Sequence, residues 1–262
     1  TEISSGHFFR RKEFNNVSFM DNGELKTYWN NYTCNNLVGI MQSSKVLPEL
    51  KVSNFTPIKK RYFLRYVAEF LLKRENFSAK GNFLESKNVV LVAAPHQSAK
   101  DEYFMFLIVM AMNIKICYLS AKWTMRRLPV PFLKPKDIDK QGIPWPLGWL
   151  QEIIFRKFGA IPVERKEKAG QYNSVIEELK KRDGFVLIVT PEGRFDPSRF
   201  RSSFLYVARE LGAEVMPVQI DYEKRCFTLL PALNIEGTEQ EVIKRLRLLF
   251  HGIKGKHSRF EA

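Results

Sequence analysis

Cysteine is scarce, with three in 262 residues, at Cys34, Cys117 and Cys226. An odd, scattered trio supplies neither a disulfide framework nor the paired spacing of a metal site, and it points to a reducing compartment or to no role for disulfides. Long apolar runs are missing as well. None reaches the roughly eighteen residues needed to span a bilayer. The nearest, Tyr103–Leu119, is interrupted by Asn113 and Lys115 and reads as a core helix running into a strand. No apolar signal segment is read, so secretion is not expected. Internal repeats and low-complexity tracts are also lacking.

Negative charge is in short supply: 28 Asp and Glu stand against 42 Lys and Arg, a net +14. Such an excess calls for an anionic partner, whether a phospholipid surface, a phosphorylated substrate, an acidic carrier protein or nucleic acid. The excess is clustered. Residues 56–80 hold seven Lys/Arg against two Glu, 122–140 six against two Asp, and 241–262 six against two Glu. Nucleic acid is the weaker of these partners, because no zinc-finger, RNP-type or helix-turn-helix pattern accompanies the charge. With 45% hydrophobic and 27% charged residues the chain is globular, and its length allows one domain with a full core.

The chain is organised around residues 89–101, VVLVAAPHQSAKD. Val89–Ala93 is an uninterrupted apolar run, the pattern of a buried strand, and Pro95 ends it. Tyr103–Met112 then reads as a helix. A step of five residues within one helix turns about 500°, placing two side chains on different faces. His96 therefore belongs to the loop before the helix, from which its ring can fold back onto Asp101. A carboxylate on one ring nitrogen fixes the tautomer and raises the basicity of the other, giving a general base for a substrate hydroxyl. The plainer alternative is that Ser98 or Asp101 caps the helix and His96 is only a loop residue.

Along the chain, residues 1–55 are Asn-rich and aperiodic and read as an irregular extension. Ile58–Leu72 predicts a basic amphipathic helix with Phe63, Val67, Phe70 and Leu71 on one face, lying either on an anionic membrane or on its own domain. Ile114–Ser120 reads as a strand. The apolar and basic residues of 121–135 and 142–155 have the composition of a surface facing headgroups or a lipid tail, or of a connector with a buried Trp. Ala160–Val163 is a short strand after Gly159, and Arg156 and Arg165 could bracket a phosphate. Ser174–Arg182 and Phe204–Leu211 read as helices. Phe185–Thr190 is a second buried strand, ending in Pro191-Glu192-Gly193-Arg194 just as the first ends in Pro95-His96. Binding crevices in α/β sheets lie at such carboxyl ends. Strands over Glu214–Ile220 and Cys226–Leu230 and a helix over Glu239–Phe250 complete the domain, 56–250, and the basic tail 251–262 is expected to be mobile.

Four blocks, PHQSAKD, FGAIPVER, TPEGR and VMPVQI, stand in order over residues 89–220, about half the chain. Together they resemble the glycerolipid acyltransferase family, the lysophosphatidic acid and glycerol-3-phosphate acyltransferases. His96 and Asp101 match its His-x-x-x-x-Asp. Gly159, Ile161, Pro162, Val163 and Arg165 match Gly-x-Ile-Pro-Val-x-Arg, and Pro191, Glu192 and Gly193 match Pro-Glu-Gly. The third block departs from the usual Gly-Thr-Arg-Ser: here it is Gly193-Arg194-Phe195-Asp196, and further on Phe200-Arg201-Ser202-Ser203 replaces Phe-Lys-x-Gly, with Arg199 or Arg201 as the substitute cation.

The resemblance implies one α/β domain with a mixed central sheet flanked by helices, glycerol-3-phosphate acyltransferase-like. It also implies acyl transfer from acyl-CoA or an acyl carrier protein to a lysophospholipid hydroxyl, with no bound cofactor or metal. His96 is then the base and Asp101 its orienter, while Gly159 and Arg165 hold the acceptor phosphate and Glu192, Gly193 and Arg194 complete the acceptor pocket. The expected location is peripheral to a membrane, on a cytoplasmic face or in an organelle such as the mitochondrion. The altered third block and the extension leave a second expectation: a catalytically drifted acyltransferase-fold subunit acting as a scaffold in a larger complex.

Overall fold

The computed structural model describes residues 46–128, 142–163, 171–192 and 200–261. In chain order its elements are β1 (Leu50–Lys51), α1 (Tyr62–Glu75), β2 (Ser78–Asn82), β3 (Asn88–Ala94), α2 (Ala99–Ala111) and β4 (Ile116–Ala121). After a short 3-10 helix (Lys122–Met125) come β5 (Arg127–Leu128), β6 (Ile143–Pro144), α3 (Gly148–Lys157) and β7 (Ala160–Val163). The chain closes with α4 (Gln171–Lys180), β8 (Phe185–Val189), α5 (Ser203–Leu211), β9 (Glu214–Asp221), β10 (Cys226–Leu229) and α6 (Glu239–Phe250).

Eight strands form one mixed sheet in the order β1-β2-β10-β9-β3-β8-β4-β7, and β5 and β6 make a separate two-stranded ribbon. The centre is parallel: β3 pairs with β8 and β9, and β4 with β8 and β7. A parallel sheet covered on both faces needs apolar residues on both sides of each strand. β3 meets that demand, with every residue from Val89 to Ala94 at most 3% exposed. Val89, Leu91 and Ala93 pack with Phe104 and Ile108 of α2 and with Leu72 of α1. Val90, Val92 and Ala94 face Val175 and Leu179 of α4, Leu205 of α5 and Leu246 of α6. Each such side chain taken from water contributes about 1.5–3 kcal/mol. The antiparallel β9–β10 pair is what makes the sheet mixed.

Three expectations are corrected. Residues 46–55 belong to the domain, since Leu47 and Leu50 are buried and β1 pairs with β2 at Gly81 and Asn82; residues 1–45 lie outside the described residues. The helix expected over 58–72 runs over Tyr62–Glu75. Its start is delayed because the preceding backbone is taken: Ile58 bridges Ile114, Lys59 N–H donates to the Asn113 carbonyl and Arg61 N–H to Asn113 Oδ1. Its buried residues are Ala68 and Leu72, so Phe63 and Phe70 point to solvent rather than inward. Finally, the tail is docked. Phe260 is 1% exposed among Phe200 and Phe250, with Arg247 stacked over its ring. One apolar side chain in a basic segment supplies the anchor that net charge conceals.

Gly159 turns α3 into β7 at φ +99°, and a Cβ there would stand 2.0 Å from the Ile116 carbonyl oxygen of β4. Gly159→Ala is expected to cost about 3 kcal/mol, combining a left-handed backbone with a backbone clash. Chemical denaturation of the variant checks this; a loss under about 0.5 kcal/mol, the range of neutral surface changes, would refute it.

Candidate active site

β3 delivers His96 to the carboxyl edge of the sheet, and the next residues build the start of α2 around it. Ser98 is the N-cap, its hydroxyl accepting from Lys100 N–H at 3.2 Å. Asp101 returns its carboxylate to the cap: Oδ2 accepts from Gln97 N–H at 2.8 Å and from Ser98 N–H at 2.9 Å. A carboxylate at a helix N-terminus satisfies orphan donors and meets the positive end of the helix dipole. The same Oδ2 lies 3.2 Å from His96 Nδ1. The capping role and the histidine-orienting role are therefore one carboxylate acting twice. Tyr222, just past β9, donates its phenol to the other oxygen, Oδ1.

His96 and Asp101 are 4% and 1% exposed, so their charges interact with little solvent screening. For Asp101, burial raises the pKa, but the bonds from His96, Tyr222 and the two amides prevail and hold the carboxyl below its ordinary range. For His96, burial disfavours the charged ring. Hydrogen bonds to Asp101 and Glu102, with the charge of both, outweigh it and push the ring up to about 9. Glu102 Oε1 stands 3.5 Å from Nε2, the nitrogen that would take a substrate proton. Its side chain is 64% exposed, so solvent is open to it beside the ring.

His96, Asp101 and Glu102 line a cavity of about 650 Å³ at the carboxyl ends of β3, β4 and β8. Met105 and Phe106 of α2 and Ile154 and Phe155 of α3 give it an apolar wall, while Ser120, Thr190 and Arg201 add polar groups. Its volume falls within the ~300–1,000 Å³ of small-molecule sites. Among the described residues no group of His, Cys, Asp and Glu could hold a metal ion.

The residues expected at the site are only partly assembled. His96 and Asp101 meet. Glu192 reaches the histidine from behind: fully buried, its Oε2 accepts the His96 backbone N–H at 2.9 Å, and Oε1 has no hydrogen-bond partner among the described residues. Burial drives its carboxyl up to about 7, against the pull of the His96 amide and ring. Glu192 thus braces the turn, where an acceptor-pocket wall was expected. Gly159 is a correction too. It precedes β7 at the amino end of the sheet, opposite the edge that carries His96, and its place is set by contact with β4. Arg156, expected to bracket a phosphate, pairs instead with Glu152 one turn back, Nη2 to Oε1 2.9 Å. Arg165, Gly193, Arg194 and Arg199 lie outside the described residues. Sequence reasoning missed Glu102 and Tyr222. Glu102 had a local signal, adjacency to Asp101; Tyr222 lies 121 residues from Asp101 and had none.

Neither a family model nor a curated protein matches the chain. Among solved structures it is similar to the 1-acyl-sn-glycerophosphate (LPA) acyltransferase PlsC of Thermotoga maritima. The identity is 16% over 71% of this chain and 75% of that one, with a TM-score of 0.46.

Glu192 titrates higher in the folded chain than its ordinary value of 4.5. The sign follows from proton binding: between about 4.5 and 7 the folded state holds the proton more tightly, so stability falls as pH rises through that window. Denaturation between pH 4 and 8 should show that fall in the native chain and a flatter profile in Glu192→Gln. His96, raised to about 9, sheds its own contribution only between about 6.5 and 9. Parallel profiles for the two proteins below pH 6.5 would contradict the assignment.

Proposed function

We propose that the protein is an O-acyltransferase, moving a fatty acyl group from a thioester of coenzyme A or acyl carrier protein to the hydroxyl of a lysophospholipid such as lysophosphatidic acid. The observation that carries this reading is the His96–Asp101 pair on the edge of an apolar-walled cavity of about 650 Å³. The acyl chain lies along Met105, Phe106, Ile154 and Phe155, each buried methylene contributing about 0.8 kcal/mol. The acceptor hydroxyl takes the place of the Glu102 carboxylate at Nε2. As Nε2 accepts the hydroxyl proton, the oxygen attacks the thioester carbonyl carbon. The tetrahedral adduct then collapses, the C–S bond breaks, and the leaving sulfur takes the proton back from the imidazolium. Asp101 keeps Nδ1 protonated throughout and stabilises the cation that forms. A thioester is already activated, so base, position and oxyanion donors suffice. Arg201 on the cavity, with Arg165, Gly193 and Arg194, supplies the acceptor side, while Glu192 holds the His96 backbone.

The reading extends to an anionic membrane surface as partner and a peripheral location. In its support, α1 exposes Tyr62, Phe63, Tyr66 and Phe70, and α3 exposes Trp149 and Ile153. The segment before α1 reaches the end of α3, where Lys59 Nζ donates to the Lys157 carbonyl at 3.4 Å, which adds a cation beside these exposed aromatic side chains. Aromatic side chains and cations together suit the boundary between headgroups and acyl chains. No described helix is long and apolar enough to cross a membrane.

A second reading is the drifted subunit, a scaffold in a larger complex. One observation favours it: carboxylates stand at both ring nitrogens, which favours the charged form of His96 and works against its accepting a proton.

An acyl-transfer assay with acyl-CoA or acyl carrier protein and lysophosphatidic acid separates the two. His96→Ala should lose on the order of 10²–10⁴-fold in kcat; equal rates would end the enzymatic reading. Because the free ring titrates at about 9, kcat/KM should climb with pH towards that value. In Glu102→Gln, one carboxylate fewer, the climb should move to lower pH. For the surface, co-sedimentation should be strong with vesicles containing phosphatidylglycerol and weak with phosphatidylcholine alone, and Phe63→Ser/Trp149→Ser should weaken binding to the former. Equal binding to both vesicle types would argue against an electrostatic anchor.

A further inference from the structure

The mechanism leaves one motif residue without a task. Gln97 separates His96 from the N-cap and is 9% exposed, yet it is not among the residues that line the cavity. Its amide points the other way, into the docked C-terminal segment. Oε1 accepts from His257 N–H at 2.8 Å and from Ser258 N–H at 3.0 Å, and Nε2 donates to Ser258 Oγ at 2.9 Å and to the Ser258 carbonyl at 3.3 Å. One amide side chain thus makes four bonds to two consecutive residues 160 and 161 positions away. Gly255 closes the fit, since a Cβ there would stand 2.5 Å from Gln97 Oε1.

The same segment holds the other side of the pair. The Lys254 carbonyl accepts Tyr222 N–H at 2.8 Å, and Tyr222 in turn donates its phenol to Asp101. Its far end is pinned by Phe260 between Phe200 and Phe250, and the loop is closed on itself by a Lys254–Arg259 bridge. Residues 254–258 therefore grip the neighbour of the histidine and the neighbour of the aspartate at once.

We propose that Gln97 is a positioning residue, which with Tyr222 transmits the docking of the 252–260 segment to the His96–Asp101 pair, setting the ring against its carboxylate. The proposal rests on the reading of His96 as the base. It makes the C-terminal segment a strap whose release slackens the pair without removing a group that touches substrate. Among the described residues, the titratable and charged groups about the ring include Asp101 and Glu102 of α2, Glu192 after β8, Tyr118 and Arg201 on the same cavity and, through Asp101, Tyr222; the strap carries Lys254, Lys256 and His257.

The test is Gln97→Ala in the full chain, read by NMR titration of the His96 ring and by acyl-transfer kinetics. The ring should titrate near 9 in the native protein and shift towards the ordinary 6.5 in the variant, as its hold on Asp101 loosens. kcat should fall by about ten- to a hundred-fold with KM little changed, the cost of a small misplacement of a reacting group. Tyr222→Phe should move the titration in the same direction, and adding it to Gln97→Ala should move it less than the sum of the two. Gln97→Met keeps the side-chain length and adds no charge while losing the four bonds to the strap; it serves if the alanine variant does not fold, and is expected to shift the titration in the same direction. A variant that folds with lowered stability but leaves the His96 titration and kcat unchanged overturns the proposal, reducing the strap to packing. If the titration shifts while the native protein transfers no acyl group, the strap stands and the enzymatic reading fails.

Discussion

One carboxylate carries the architecture of the site. Asp101 accepts two backbone amides of the turn and the Tyr222 phenol, and its Oδ2 stands 3.2 Å from His96 Nδ1 as a charge contact, all at a position 1% exposed to solvent. Hydrogen bonds to a charged acceptor contribute about 1.5–3 kcal/mol each, and burying that acceptor without them costs several. The turn, the helix start and the imidazole are consequently one object. The stability of α2 and the orientation of the ring cannot be varied independently, because both are satisfied by the same two oxygens.

Around this object the electrostatics are uneven. Three carboxylates surround one imidazole: Asp101 on Nδ1, Glu102 on Nε2 and Glu192 on its backbone amide. They are not equivalent. Asp101 is well supplied with donors and stays ionised, Glu192 has an oxygen with no described partner and is driven up to about 7, and Glu102 is mostly in water. Environment, not residue type, separates a fixed charge, a conditional one and a removable one. The removable one sits at Nε2, so on the proposed reading binding of an acceptor and activation of the base are the same displacement.

Much of the fold is legible in the sequence because its centre is a covered parallel sheet. Val89–Ala94, Phe185–Val189 and Val215–Val218 are apolar on both faces, and such runs have few other structures to adopt. Ala160–Val163 and Glu239–Phe250 fall where periodicity puts them. The edges are not legible. β2, SAKGN, has neither alternation nor β-branched residues; it is a strand because Cys226–Thr228 pair with it. α1 starts late because a loop 50 residues downstream claims the backbone before it. At the site, the His96–Asp101 approach is local and follows from turn geometry. Gln97, Tyr222 and Glu192 act across 96 to 161 positions of chain, and nothing in their own neighbourhoods announces it.

The glycine before β7 carries a lesson of a different kind. Its lack of a side chain lets two strands lie against each other, at the end of the sheet opposite the histidine. A residue of this sort is a signature of shape. Descendants of such a chain could discard the imidazole, fill the cavity and take up other work, and the glycine would still be demanded by the carbonyl beside it. Recognising a chain by that block is recognising its carpentry, and the trade practised inside has to be read from the histidine.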